Sequence, residues 1–161
     1  GGGLVPQGPG IWNLSLAWPA GAATPADMHA IYAAFCDALA AAFARLGVSA
    51  TPGAVQGSFC DGRWNLAVAG RKLVGTAQAW RRVGAQQVVL AHALVIVGAD
   101  PAALTDSANA LEAELGQGRP YRADALTSLA REAPGNSDLE ARTLEVLAEQ
   151  FARVVPPRVT G

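Results

Sequence analysis

One lysine, two cysteines and a run of glycines carry most of the chemical potential of this sequence. Of its twelve basic residues, eleven are arginine and a single one, Lys72, is lysine. A chain that uses Arg wherever a cation is wanted marks its one Lys as a candidate for a position that needs a compact ammonium and not a guanidinium fork. A surface lysine left by chance is the other reading of that count. Lys72 stands in Gly70-Arg71-Lys72-Leu73-Val74-Gly75-Thr76-Ala77-Gln78, three residues before a glycine. A strand lysine beside bare backbone can meet an acyl carbonyl, a carboxylate or a phosphate. All three gather charge in acyl-transfer transition states, where a fixed ammonium is most effective.

The cysteines divide by setting. Cys60 lies in Gly57-Ser58-Phe59-Cys60-Asp61-Gly62, a polar stretch of small residues expected to link strands. A loop thiol becomes a thiolate nucleophile when a cation lowers its pKa, and otherwise is a structural residue. Cys36 sits between Tyr32 and Leu39 on an apolar helix stripe, as a packing residue does. One disulfide between them is the less expected arrangement, and two cysteines make no disulfide framework. The opening Gly1-Gly2-Gly3 offers backbone N–H groups that can hold an anion, although glycines alone also describe a terminus with no ligand. No Cys-x-x-Cys pair or His-Glu-x-x-His step is present, so no metal ligands are expected.

The elements that must position these residues follow from periodicity. Trp12, Leu14, Leu16 and Trp18 alternate with polar or small residues, as in a strand with one apolar face. Thr24-Pro25 with Asp27 starts a helix that runs to about Leu46 and stops at Gly47. Its stripe is Met28, Ile31, Tyr32, Phe35, Leu39, Phe43 and Leu46, and His29 falls outside it on the surface. Val55 to Phe59 reads as a short strand. Trp64 to Ala69 and Lys72 to Trp80 read as a hairpin about Gly70-Arg71, and Gln86 to Val97 as a long apolar strand after Gly84. A helix from Pro101 to Leu115, capped by Asp100, follows. The last helix is expected to open on a Ser137/Glu140 capping box, bury Leu139, Leu144, Leu147 and Phe151, and end before Pro156-Pro157. There is no internal repeat or linker, so residues 1–161 are expected to be a single α+β domain: an antiparallel sheet meander with helices packed against it.

Composition narrows the function classes. With 51% hydrophobic and 16% charged residues, the chain can bury a core and is no candidate for disorder. A net charge of −1 with dispersed arginines argues against a nucleic-acid surface. The longest apolar run, Val88 to Val97, is interrupted by His92 and is too short to cross a bilayer, and no secretory signal opens the chain. These features predict a soluble, cytoplasmic protein without a membrane or nucleic-acid partner.

Taken in order, the segments resemble the lipoate-protein ligase and octanoyltransferase family of the biotin/lipoate ligase fold. That family carries a glycine-rich loop, an Asn-Asp-Leu or Phe-Asp-Leu step and a Gly-x-Lys-x-x-Gly-x-Ala-Gln segment. Similar stretches here are Gly1-Gly2-Gly3, Trp64-Asn65-Leu66 and Gly70 to Gln78. The strand Leu90 to Asp100, with His92, is similar to the family strand that follows a His-Gly and leads to Ala-Asp, and Leu126-Thr127-Ser128-Leu129 to a later Ile-Thr-Ser-Val step. The resemblance implies an enzyme with Lys72 on the acyl carbonyl, and with Gly1, Gly2, Gly3, Leu4, Asn65, Gly75, Thr76, Ala77 and His92 about the acyl group. Gly-Ser-Phe-Cys-Asp-Gly is similar to the Gly-Ser-Tyr-Cys loop of cysteine-dependent octanoyl amidotransferases. That implies a Cys60 thioester assisted by Lys72.

The implied acceptor is a lysine on a lipoyl domain of a 2-oxoacid dehydrogenase or on the glycine-cleavage H protein, with acyl-carrier protein as a donor. A transferase of this kind needs no cofactor. An ATP-dependent lipoate-protein ligase, using ATP and Mg, shares Lys72 and the glycine loop. A non-catalytic relative that binds lipoyl domains is the third reading. Biotin ligase fits less well, since no Gly-Arg-Gly-Arg-x-Gly loop occurs. The chain departs from the family where Asn65-Leu66 replaces the Asp step and Val5-Pro6-Gln7-Gly8 replaces the Val-x-His-Asp step of ligases. On the resemblance it is also expected to lack the family's strands and Arg-Arg pair before the glycines and an accessory domain after Val155.

Overall fold

The computed structural model describes residues 4–20, 25–116 and 120–153. Gly1 to Gly3, the expected helix cap Thr24 and the Pro156-Pro157 stop lie outside the described residues. Strand β1 (Ile11–Ala20) is followed by helix α1 (Pro25–Ala44), then β2 (Thr51–Pro52), β3 (Leu66–Val68), β4 (Arg71–Val83) and β5 (Gln86–Ile96). Helix α2 (Pro101–Glu114), a 3₁₀ turn at Ala123–Ala125, and helices α3 (Leu129–Glu132) and α4 (Leu139–Ala152) complete the order. The five strands form one antiparallel sheet in the order β1-β5-β4-β3-β2. Consecutive strands β2 to β5 are neighbours, as a locally connected meander requires, and β1 closes the far edge on β5. The expected α+β architecture is therefore the observed one.

The sheet has two faces with different cover. Trp12, Leu14, Leu16 and Trp18 share one face with Val95, Ala93, Ala91 and Val89 opposite them on β5. That face meets Ile31, Phe35, Leu39 and Phe43 of α1, with Val146 and Leu147 of α4 behind, in the main core. Each of those fully buried α1 side chains contributes roughly 2 kcal/mol. Cys36 is buried in the same core, its thiol toward the Trp64 carbonyl at 3.6 Å, and burial pushes that thiol up to about 11. It is a packing residue, as its place on the stripe indicates. The other face carries a smaller cluster in which Leu94 and Ile96 of β5 meet Phe59, Leu126 and Ala108 of α2.

Several expectations at the level of elements are corrected. Met28 is 38% exposed at the open end of α1, where its carbonyl accepts from Gln78 Nε2. Val55 to Phe59 is a turn and no strand: Gly57 has φ 81 and the Ser58 hydroxyl bonds back to the Val55 carbonyl at 2.7 Å. Such a side-chain bond to nearby backbone competes with sheet pairing. The pairing falls instead at Thr51–Pro52. Helix α4 begins after Asp138 with no side-chain cap, so the Ser137/Glu140 box does not form. Leu144 faces solvent, and Thr143 with Val146 take the inward positions. By contrast Asp100 caps α2 as expected, accepting from Ala103 N at 3.3 Å, and Gly47 ends the α1 segment with φ 80.

The hairpin between β3 and β4 turns at Ala69-Gly70, one residue earlier than the glycine alone suggested. Val68 pairs with Arg71, and both turn residues have positive φ, 47 and 77. That geometry matches the right-handed twist of the strands but suits Asn-Gly better than Ala-Gly. Ala69→Asn is expected to stabilise the fold by about 1 kcal/mol, read as a higher denaturant midpoint at unchanged slope.

Candidate active site

Cys60 and Lys72, predicted apart in sequence, share one cavity of about 190 Å³ on the sheet face opposite the main core. Its depth comes from the alternation of β5. Ile96, Leu94 and His92 line it in turn, with Ile96 and Leu94 buried and His92 half-buried toward the open end. Gly75 and Ala77 of β4 lie opposite Leu94 and His92. Phe59 forms a wall, held edge-on by Tyr121 at 4.6 Å between ring centres.

Lys72 reaches this cavity because β4 carries a bulge. Simple alternation would place it beside Val74, on the main-core side. Between β3 and β4 the register slips: Leu66 faces Val74, but the next residue, Ala67, faces Lys72. Leu73 is the extra residue, and one extra residue reverses the faces beyond it. Leu73 accordingly joins Val74 in the main core, and Lys72 lines the cavity with Gly75. The reversed segment is clamped from behind. The Lys72 carbonyl accepts from Thr127 N at 2.9 Å, while Glu132 receives Arg71 at 2.8 Å and the Thr127 hydroxyl. The Leu126 to Leu129 step thus serves as a brace for β4.

The lysine side chain is 3% exposed. Its ammonium donates to the Phe59 carbonyl and, at 3.2 Å, to the Cys60 carbonyl. An ammonium has three protons, so one remains for a ligand in the cavity. Burial pushes the group down to about 8, against the opposing pull of Cys60 and Asp61. Cys60 itself is exposed and holds φ 47, a left-handed conformation that L-residues adopt at a cost of about 1 kcal/mol. Asn65, 2% exposed, secures that turn by donating from Nδ2 to the Cys60 carbonyl at 3.0 Å. Asn65 is not among the residues that line the cavity, and this bond ties it to the cysteine loop.

Gly75 gives the lysine its close approach to the strand. A Cβ there would lie 3.0 Å from Lys72 Nζ and 3.1 Å from Cε. Gly75→Ala is expected to displace the ammonium from its carbonyls while leaving the strand paired. Turnover should fall roughly 10-fold to 100-fold, since small displacements in a reacting array cost that much. A steady-state rate paired with an unchanged melting temperature checks it.

The remaining predicted site residues divide. Thr76 and Ala77 border the cavity, and the Thr76 hydroxyl donates to the Trp64 carbonyl at 2.5 Å. Leu4 packs into the smaller apolar cluster, while its neighbours Val5 and Gln7 line the cavity instead. His92 lines it, with Nδ1 2.8 Å from Ser15 Oγ on β1. Leu94 and Ile96 were missed, although the period of two through His92 contains them. The sequence marks Val5 and Gln7 only as part of a departure from the ligases' Val-x-His-Asp step.

A deep apolar slot with a buried ammonium and an exposed thiol at its edge is suited to acyl-group chemistry, and comparison with known proteins agrees. Residues 1–152 match the lipoyl protein ligase A/B catalytic domain. The chain belongs to that family of enzymes. It is 41% identical over 176 residues to an uncharacterised protein of Cupriavidus necator, covering 98% of this chain and 70% of that one. It is 38% identical over 156 residues to octanoyl-[GcvH]:protein N-octanoyltransferase of Kyrpidia tusciae, covering 92% of this chain and 52% of that protein. The chain thus spans about half the length of that transferase. Among solved structures, lipoate-protein ligase A bound with ATP superimposes with a TM-score of 0.63 at 17% identity, over 94% of this chain and 56% of that one, which shows the shared fold. Among the described residues no helix is long and apolar enough to cross a membrane.

Proposed function

We propose that this chain is an acyltransferase domain that takes an octanoyl or lipoyl group onto Cys60 as a thioester and passes it to a protein lysine. The observation that carries the reading is the shared cavity, in which the Lys72 ammonium is anchored on the backbone carbonyl of Cys60 itself. A cation fixed near a thiol favours the thiolate and stabilises negative charge on a tetrahedral intermediate. The apolar floor at Leu94 and Ile96 suits an unbranched acyl chain. Acyl-carrier protein or octanoyl-GcvH is the proposed donor, the latter from the name of the Kyrpidia relative. The acceptor is a lysine of a lipoyl domain or of the glycine-cleavage H protein. No ATP enters this cycle.

Intact mass after mixing with octanoyl-carrier protein, ATP omitted, tests the reading. An added octanoyl group that hydroxylamine removes supports it. No adduct, with lipoate transferred only when ATP and Mg are supplied, would replace it with the ligase reading.

A further inference from the structure

The geometry points to His92 as the base that takes the proton of the acceptor amine, with Ser15 as its positioning residue. This rests on the acyl-thioester reading and adds a step that Cys60 and Lys72 leave unserved. When a lysine amine attacks the thioester, a C–N bond forms and the C–S bond breaks. The sulfur leaves with the electron pair as a thiolate, beside the Lys72 ammonium. The nitrogen must also lose a proton to become an amide. Lys72 cannot take it while it is an ammonium donating to the Phe59 and Cys60 carbonyls. Cys60 is the leaving group. Of the other described residues that line the cavity, His92 alone carries a side chain of the kind that serves as a general base.

Its placement fits that task. His92 faces Ala77, and Leu94 faces Gly75, so the imidazole is one two-residue step, roughly 7 Å, along the sheet from the level of the ammonium. A carbonyl and an incoming nitrogen fit in that interval. Half-buried, the ring borders both the cavity and solvent, as a base that meets a protein-borne lysine would. Ser15 Oγ lies 2.8 Å from Nδ1 across the β1–β5 pair. A serine oxygen accepts from Nδ1–H in the neutral ring and equally in the imidazolium, which leaves Nε2 to receive the proton and later release it to water.

Separating the two half-reactions tests this. A thioester donor expels a thiolate and asks no base to take a proton from an amine, whereas transfer to a lysine does. In His92→Gln, single-turnover transfer to the acceptor lysine should slow roughly 100-fold or more beyond any change in the rate at which the hydroxylamine-labile adduct forms from octanoyl-carrier protein. Added imidazole should restore transfer in His92→Ala, and Ser15→Ala should slow transfer alone, by a smaller factor. Normal transfer by His92→Gln would overturn the inference, as would an equal loss in both half-reactions, which would make His92 a binding or structural residue. A wild-type protein that forms no adduct would instead remove the thioester reading on which this rests.

Discussion

Cys60→Ala is expected to abolish the octanoyl adduct and to lower transfer by roughly 10⁴-fold or more, the scale on which loss of a covalent nucleophile is felt. The fold should be indifferent to the change. Cys60 is exposed, and its structural work is done by its backbone, whose carbonyl receives Asn65 and Lys72. Alanine keeps that carbonyl and the same left-handed strain, so unfolding should move by no more than about 0.5 kcal/mol. Cys60→Gly separates strain from chemistry. At φ 47 glycine has no Cβ penalty, so this variant should be more stable than wild type by about 1 kcal/mol, and equally inactive. A position that is less stable with the working residue than with glycine is what a strained functional site predicts. Thermal melts and intact mass on the three proteins check both halves. Full transfer by Cys60→Ala would end the thioester mechanism.

What could be seen in the sequence was local. The hairpin strands, the α1 stripe and the Asp100 cap each depend on residues a few positions apart, and each is present. Lys72 stood out by type, yet its orientation depended on the bulge at Leu73. Nothing in Leu73-Val74, two apolar residues in a row, distinguishes a bulged strand from a regular one buried on both faces. Val55 to Phe59 reads as a strand by residue type, but the left-handed φ of Gly57 and the hydroxyl bond of Ser58 decide the conformation. In α4, apolar residues point in more than one direction. Which of them are inward depends on where α1 lies, so Leu144 could not be assigned from spacing alone. The site was harder still. Asn65 holds a cysteine loop five residues back through a side-chain bond that no spacing rule marks, and Ser15 meets a histidine 77 residues away across a strand pair that a linear pattern does not contain.

Lys72→Met is expected to lower the rate of acyl-adduct formation roughly 100-fold to 1,000-fold, the usual consequence of removing one fixed donor from a developing oxyanion. The pH dependence gives this prediction its signature. Wild-type activity requires the ammonium, so its rate should fall as pH rises through about 8, where the buried group loses its proton. In Lys72→Met that alkaline limb should be gone. Stability should change in the opposite sense. The native state holds this group at about 8 and the unfolded chain near 10.5, so between those values the unfolded state binds more protons and unfolding becomes harder as pH rises. Relative to Lys72→Met, wild type should therefore gain about 3 kcal/mol from pH 8 to 10.5, while its activity declines over the lower part of that range. Below pH 8 the methionine variant escapes the cost of burying a charge but leaves the Phe59 carbonyl without its donor, and the two effects offset to within a few kcal/mol. A site that is least comfortable for the fold where it is most active is one kept for its chemistry. An alkaline limb near 8 that survives in Lys72→Met would show that another group titrates there, and the role given to the lysine would fail.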